Sequence, residues 1–297
     1  MNDLPPHPVA EAALAARTVG ELVAGLTADL ATDLAAQLDL STVDGMALDA
    51  GELRTAVSRE AERLGVATAR QEHVLLGCLR VVDPELLAEA RTRLQERRAE
   101  LAHADYLAVR PIARADATRP PVTILLAGVP GTGKSTLAEE LAWRLRAPVF
   151  SMDWQLGALT PFGALREDNA LPLAELNLTA SVARQLQLGL DVIIDATGHR
   201  REARIRWREV TESAGGRFVG AECVCSDERA QRVRVEGRAR GIPGWPQTVT
   251  WEHVVRMRGL WESWDEPHLV LDSATLLPEE NVRQVLAAVD RLSETGE

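Results

Sequence analysis

The sequence predicts an α/β fold, a parallel sheet covered by helices on both faces, preceded by an all-α domain. Two observations carry this. After residue 120, apolar β-rich runs alternate with helix-periodic segments, the pattern of strand–helix–strand crossovers. Before it, the chain is rich in Ala, Leu, Glu and Arg, all good helix formers. The aromatic residues divide in the same way: all seven tryptophans and all three phenylalanines lie after residue 142, and the first 120 residues carry only Tyr106. Two domains are therefore expected, residues 1–115 and 116–297, separated by Arg110–Pro121, a polar aperiodic stretch closed by two prolines.

In the first half, helical periodicity is expected over Val9–Leu38, Ala50–Leu64, Thr68–Val82 and Pro84–His103, with Asp83-Pro84 as a helix start. Arg91, Arg93, Arg97 and Arg98 interleave with Glu89, Glu96 and Glu100, which reads as a solvated helix face. In the second half, strands are expected at Val122–Ala127, Ala147–Met152, Asp191–Asp195, Arg217–Cys225 and His268–Asp272. Helices fit between and after them at Leu173–Leu188, Arg200–Ala214, Ser226–Arg240, Thr248–Trp264 and Pro278–Leu292, and a further helix follows the first strand, where Leu137, Leu141 and Leu145 form a stripe.

Composition bounds the function. The 297 residues carry a formal net charge of −11, which argues against broad, sequence-independent nucleic-acid binding. Cys78, Cys223 and Cys225 have no metal-ligand spacing and fit packed thiols in a reducing compartment. The N-terminus lacks a cationic segment followed by an apolar core, and no apolar run reaches membrane-spanning length, so a cytoplasmic location with no membrane partner is expected.

Lys134 is the only lysine, against 32 arginines, and it lies in Gly128-Val129-Pro130-Gly131-Thr132-Gly133-Lys134-Ser135, a match to the phosphate-binding P-loop. An ammonium is a compact point charge that fits between phosphate oxygens, where a planar guanidinium does not. Gly128, Gly131 and Gly133 allow the backbone to wrap around the anion, the amides of Thr132 through Thr136 face it, and the following helix aims its positive end at it. Ser135 supplies a hydroxyl to Mg²⁺. The strand before and the helix after complete the required context.

Ligand chemistry on such a sheet gathers at the carboxyl ends of its strands. Asp153 ends the second expected strand, where a carboxylate serves either as acceptor of a hydroxyl proton or as a helix or turn cap. Asp195 ends Val192-Ile193-Ile194 and is placed to hold Mg²⁺ and bond the P-loop hydroxyl. Arg234 and Arg238, four residues apart on one expected helix face, precede a loop with Pro243, Gly244 and Pro246, the composition of a lid.

With these residues in order, the chain from about 122 to 292 resembles the P-loop kinases related to phage polynucleotide 5′-kinase, chloramphenicol phosphotransferase and the zeta toxins. The elements are the P-loop, Phe150-Ser151-Met152-Asp153, Val192-Ile193-Ile194-Asp195-Ala196-Thr197 with arginines following, and Arg234-x-x-x-Arg238. The resemblance implies a five-stranded parallel sheet with the P-loop strand at its centre. It also implies Asp153 as general base, Arg238 as the transition-state arginine and Arg234 as a nucleotide contact. Polynucleotide kinases often carry an arginine soon after the base, where this sequence has Trp154-Gln155-Leu156-Gly157.

The expected function is transfer of the ATP γ-phosphoryl group, with Mg²⁺, to a hydroxyl of a small molecule or a polynucleotide end, nucleic acid being the less favoured acceptor. Two other readings stand beside it. One is a zeta-toxin-like sugar-nucleotide kinase restrained by its own N-terminal helices. The other is a non-catalytic ATP-binding switch whose helices bind a partner protein.

Overall fold

In the computed structural model, residues 8–66, 68–112, 119–237, 239, 241–246 and 248–294 are described. Contacts divide the chain into two compact units, residues 1–100 with 167–169, and residues 101–166 with 170–297.

The first unit is all-helical: α1 (Pro8–Ala13), α2 (Val19–Ala24), α3 (Asp29–Ala36), α4 (Ala50–Arg63), α5 (Gln71–Val82) and most of α6 (Pro84–Leu107), which ends in the second unit. The single helix expected over Val9–Leu38 is thus three short ones. The breaks have causes both near and far in the chain. Thr18 caps α2 by accepting from the Glu21 amide, and Gly25 ends that helix. The Gln71 Oε1 then accepts from the amides of Thr27 and Ala28 at 2.8 and 2.7 Å, which satisfies the chain as it enters α3. The core comprises Leu22, Leu34, Leu53, Leu75, Leu76, Leu79 and Leu94. A side chain at Gly77 would run into Val57, so the glycine sets how closely α5 approaches α4.

The arginine-rich face of α6 is only partly solvated. Arg93 pairs with Glu89 and Arg97 with Glu100 and Asp33, as surface pairs. Arg91 and Arg98, two turns apart and so on one side of the helix, point inward to Glu60 and Glu72. Glu60 is fully buried; burial raises its pKa, but hydrogen bonds from Arg91, Arg80 and Arg63 outweigh this and hold it below the ordinary value. Removing any one arginine leaves a buried carboxylate with weaker compensation.

The second unit is a five-stranded parallel sheet flanked by helices. Its elements are β1 (Val122–Ala127), α7 (Lys134–Leu145), β2 (Val149–Ser151), α8 (Met152–Leu159) with a 3₁₀ turn at Thr160–Phe162, α9 (Ala170–Gln187), β3 (Val192–Ala196), α10 (Arg201–Ser213), β4 (Arg217–Val224), α11 (Glu228–Glu236), α12 (Trp251–Gly259), β5 (Leu269–Asp272) and α13 (Pro278–Glu294). All five strands are parallel in the order β2-β3-β1-β4-β5, with the P-loop strand central as expected. β1 is buried on both faces: Val122, Ile124 and Leu126 join α7 and α13, while Leu125 and Ala127 join α8, α9 and α10.

Three expectations are corrected. The strand expected to run to Met152 stops at Ser151, and α8 begins at once, so Asp153 lies in the first turn of a helix absent from the sequence reading. Gly157 obscured that helix, and it is there for packing: a side chain would collide with the Pro243 carbonyl. The helix expected over Ser226–Arg240 is α11, capped by Asp227 and ended at Gly237. That expected over Thr248–Trp264 is α12, capped by Thr250. Among the described residues, no helix is long and apolar enough to cross a membrane.

His103, in the last turns of α6, is buried, and burial with the nearby Arg206 charge pushes its pKa down to about 4. The imidazole is therefore neutral in the fold, whereas in the unfolded chain it gains a proton near pH 6.5. Its contribution to stability is fully present above pH 6.5 and is lost as pH falls toward 4. Urea titrations at pH 7.5 and 5 should show His103→Asn losing less stability between the two than the wild type; equal losses contradict this.

Candidate active site

Strand register brings the acids to the loop. Leu126 of β1 pairs with Asp195, and Asp195 in turn pairs with Ser151. The P-loop leaves β1 two residues past Leu126, and Asp153 stands two residues past Ser151. Neighbouring strands thus deliver the loop and both carboxylates to one edge of the sheet.

The loop itself is shaped by crowding. Gly128, Gly131 and Gly133 have φ of 155°, 84° and 92°, a region side chains rarely occupy. At Gly128 a side chain would collide with the Cys223 carbonyl of β4, and at Gly131 it would lie 2.6 Å from Val235 Cγ2 of α11. Val129 O accepts from Thr132 Oγ1 at 2.9 Å and from Lys134 Nζ at 3.1 Å, which curls the ammonium over the loop. Gly133 gives α7 no side-chain cap, so its first amides are left for an anion.

Ser135 Oγ donates to Asp195 Oδ2 at 2.9 Å. This pair is the expected cation site. Two hard oxygens suit Mg²⁺, which takes one or two protein carboxylates and draws its other ligands from phosphate and water. Among the described residues no group of three or more His, Cys, Asp or Glu could hold a metal by itself. The donor set therefore fits a metal that arrives with a phosphate.

A cleft of about 2050 Å³ runs along this edge, lined by Pro130–Leu137, Asp153, Trp154, Asp195, Arg234, Trp245 and His253, among others. That exceeds the roughly 300–1,000 Å³ of a site for one drug-sized ligand, leaving room for two. Asp153 is half-buried and Trp154 beside it is exposed. Loop residues Pro243–Trp245 abut α8 at Gly157, so the segment after α11 faces the helix that carries Asp153. Arg234 donates to Ser273 Oγ at 2.8 Å and Ser273 O at 3.1 Å, which orients it along the cleft beside the loop that follows β5. Arg238 lies outside the described residues. Cys223 and Cys225 are free, buried thiols, and burial pushes Cys223 up to about 12, so it remains protonated beside Lys134.

Two residues of this region were missed in the sequence. Gln231 is buried beneath the P-loop; its signal was a polar residue four before Val235, on the inward stripe of its helix. Arg204 is 1% exposed and donates to four backbone carbonyls, those of Gly198, His199, Glu262 and Ser263, while its guanidinium lies over Trp264. It ties the segment after α12 to the turn that follows Asp195. Among so many arginines its sequence gave no sign of this.

Residues 123–262 match the model of a family described as the AAA domain. No curated protein matches the chain. Among solved structures, a gluconokinase from Sinorhizobium meliloti 1021 is 22% identical, with 60% of this chain and 96% of that one aligned at a TM-score of 0.44. The APS kinase of Mycobacterium tuberculosis, in complex with AMPPNP and APS, is 22% identical over 58% of this chain and 98% of its own, TM-score 0.41. Kti12 of Chaetomium thermophilum, in complex with ADP-AlF3, is 18% identical over 58% and 98%, TM-score 0.44.

Arg204→Met removes the guanidinium's bonds to those carbonyls, of which His199 O keeps the Glu262 amide as donor, and should cost roughly 3 kcal/mol, since each buried acceptor left unpaired is worth about 1–3 kcal/mol. Denaturant unfolding measures it, and a loss under 1 kcal/mol would show that water replaces the guanidinium.

Proposed function

We propose that this protein is an ATP-dependent kinase that transfers the γ-phosphoryl group to a hydroxyl of a small molecule. The observation that carries the reading is the register that sets Asp153 and the Ser135–Asp195 pair at the same sheet edge as the P-loop. The nucleotide phosphates sit in the amides of Gly131–Ser135, with Lys134 swinging from Val129 O onto the β- and γ-oxygens. Ser135 and Asp195 would hold Mg²⁺, which would supply charge neutralisation at the phosphates. Asp153 accepts the acceptor's hydroxyl proton; the freed oxygen attacks the γ-phosphorus and the bond to the ADP oxygen breaks. Arg234 contacts bound nucleotide, and Arg238 meets the charge that develops on the moving phosphoryl group.

The lining supports a small acceptor over a polynucleotide. Among its described residues, Lys134 and Arg234 are the cations, against the carboxylates of Glu139, Glu140, Asp153, Asp195 and Glu279. Both cations are assigned to the nucleotide, which leaves no described positive charge for a phosphate backbone. The resemblance to the polynucleotide 5′-kinase, chloramphenicol phosphotransferase and zeta toxin group therefore leans, on this charge balance, toward its small-molecule members.

ADP release measured against panels of nucleosides, sugars, amino sugars and polynucleotide 5′ ends tests this. With the acceptor that responds, Asp153→Asn should lower kcat by roughly 10²–10⁴ and leave ATP affinity unchanged. Arg234→Ala should chiefly raise KM for ATP, and Arg238→Ala should lower kcat and kcat/KM together. Undiminished turnover in Asp153→Asn would reduce the carboxylate to the first-turn acid of α8.

A further inference from the structure

The contacts beneath the P-loop are as specific as those above it. Gln231 is 1% exposed and uses both ends of its amide. Its Nε2 donates to Pro130 O at 2.7 Å, and its Oε1 accepts from Arg258 Nη2 of α12 at 2.6 Å. The chemistry allows only this orientation, because a guanidinium can only donate and a carbonyl can only accept. Arg258 is itself held over the Trp251 ring, 5.2 Å from its centroid. Around the amide, Val129, Val235, Trp251, Val254 and Met257 form a small apolar cluster of their own.

We propose that Gln231 is a positioning residue that presets the P-loop backbone for phosphate. The inference rests on the reading of Gly128–Ser135 as a nucleotide site. Its geometry follows from the planar trans peptide. In the Pro130–Gly131 unit the C=O and N–H point in opposite directions. Drawing Pro130 O toward α11 therefore turns the Gly131 N–H away from it, into the curl of the loop where the phosphate sits. Gly131 has no side chain to fix this orientation, and proline contributes no N–H that could anchor the preceding peptide. The bond from Gln231 restrains this peptide alongside the packing of Gly131 against α11. Because it is made before the ligand arrives, binding does not have to order that peptide.

Gln231→Glu separates this role from simple packing. The carboxylate keeps the shape and strengthens the pair with Arg258, but it can no longer donate, and it faces Pro130 O with a lone pair. Titration calorimetry with ATP·Mg should show affinity at least 10-fold weaker, with the melting temperature of the ligand-free protein near that of the wild type. Gln231→Met, of similar length and apolar, should show the same direction of effect and decides the matter if the glutamate variant does not fold. Arg258→Met, which breaks the outer bond and leaves the inner one, should bind ATP·Mg within about twofold of the wild type while melting at a lower temperature. Wild-type affinity in folded Gln231→Glu and Gln231→Met overturns the proposal. Failure of the wild-type protein to bind ATP·Mg at all is a different result, which overturns the nucleotide reading itself.

Discussion

The site depends on a backbone that has no room for side chains. Between β1 and α7 the chain passes under the Cys223 carbonyl of β4 on one side and against Val235 of α11 on the other. Both contacts demand glycine, and the positive φ at Gly128, Gly131 and Gly133 demands it again. This confinement turns the loop's amides inward, and it costs conformational entropy that the surrounding sheet and helices must offset. Lys134, Ser135 and α7 take their places from where that loop ends.

The rest of the chemistry follows from parallel strands in register. β3 lies between β1 and β2, so its terminal acid, Asp195, reaches Ser135 on one side and neighbours the end of β2 on the other. Asp153 lies in the first turn of α8, and α8 is pinned by the close approach of the Pro243–Trp245 loop at Gly157. Arg204 fastens a later part of the same segment to the turn after β3. The segment between β4 and β5 is therefore held in its middle, at Pro243–Trp245, and near its end, at Glu262–Ser263.

Much of this was legible in the sequence because its signals are local. A buried parallel strand is a continuous apolar run, so Val122–Ala127 could be read to the residue, and the P-loop spells out its own backbone. The Ser135–Asp195 bond was expected from two separate motifs and is present at 2.9 Å. What escaped notice depends on partners distant in the chain. α8 was hidden by Gly157, whose reason is a loop nearly ninety residues later. The breaks among α1, α2 and α3 depend in part on Gln71. Sequence alone cannot tell the half-buried, inward-pairing Arg91 and Arg98, or the buried Arg204, from solvated arginines. Gln231 takes its role from a carbonyl of the loop and a guanidinium of the next helix, and neither is marked by a pattern.

Every role assigned around the loop depends on its being a phosphate cradle, and the lone lysine tests this most directly. Lys134 touches the loop's own Val129 carbonyl and contributes nothing to an apolar core, so its replacement should leave the fold intact. Calorimetric titration of ATP·Mg into wild type, Lys134→Ala and Lys134→Arg should show binding in the first and its near-complete loss in both variants, at unchanged melting temperature. The arginine fails because a planar fork does not replace a point charge between phosphate oxygens. Equal affinity in wild type and Lys134→Ala would contradict the phosphate site and every role assigned around it.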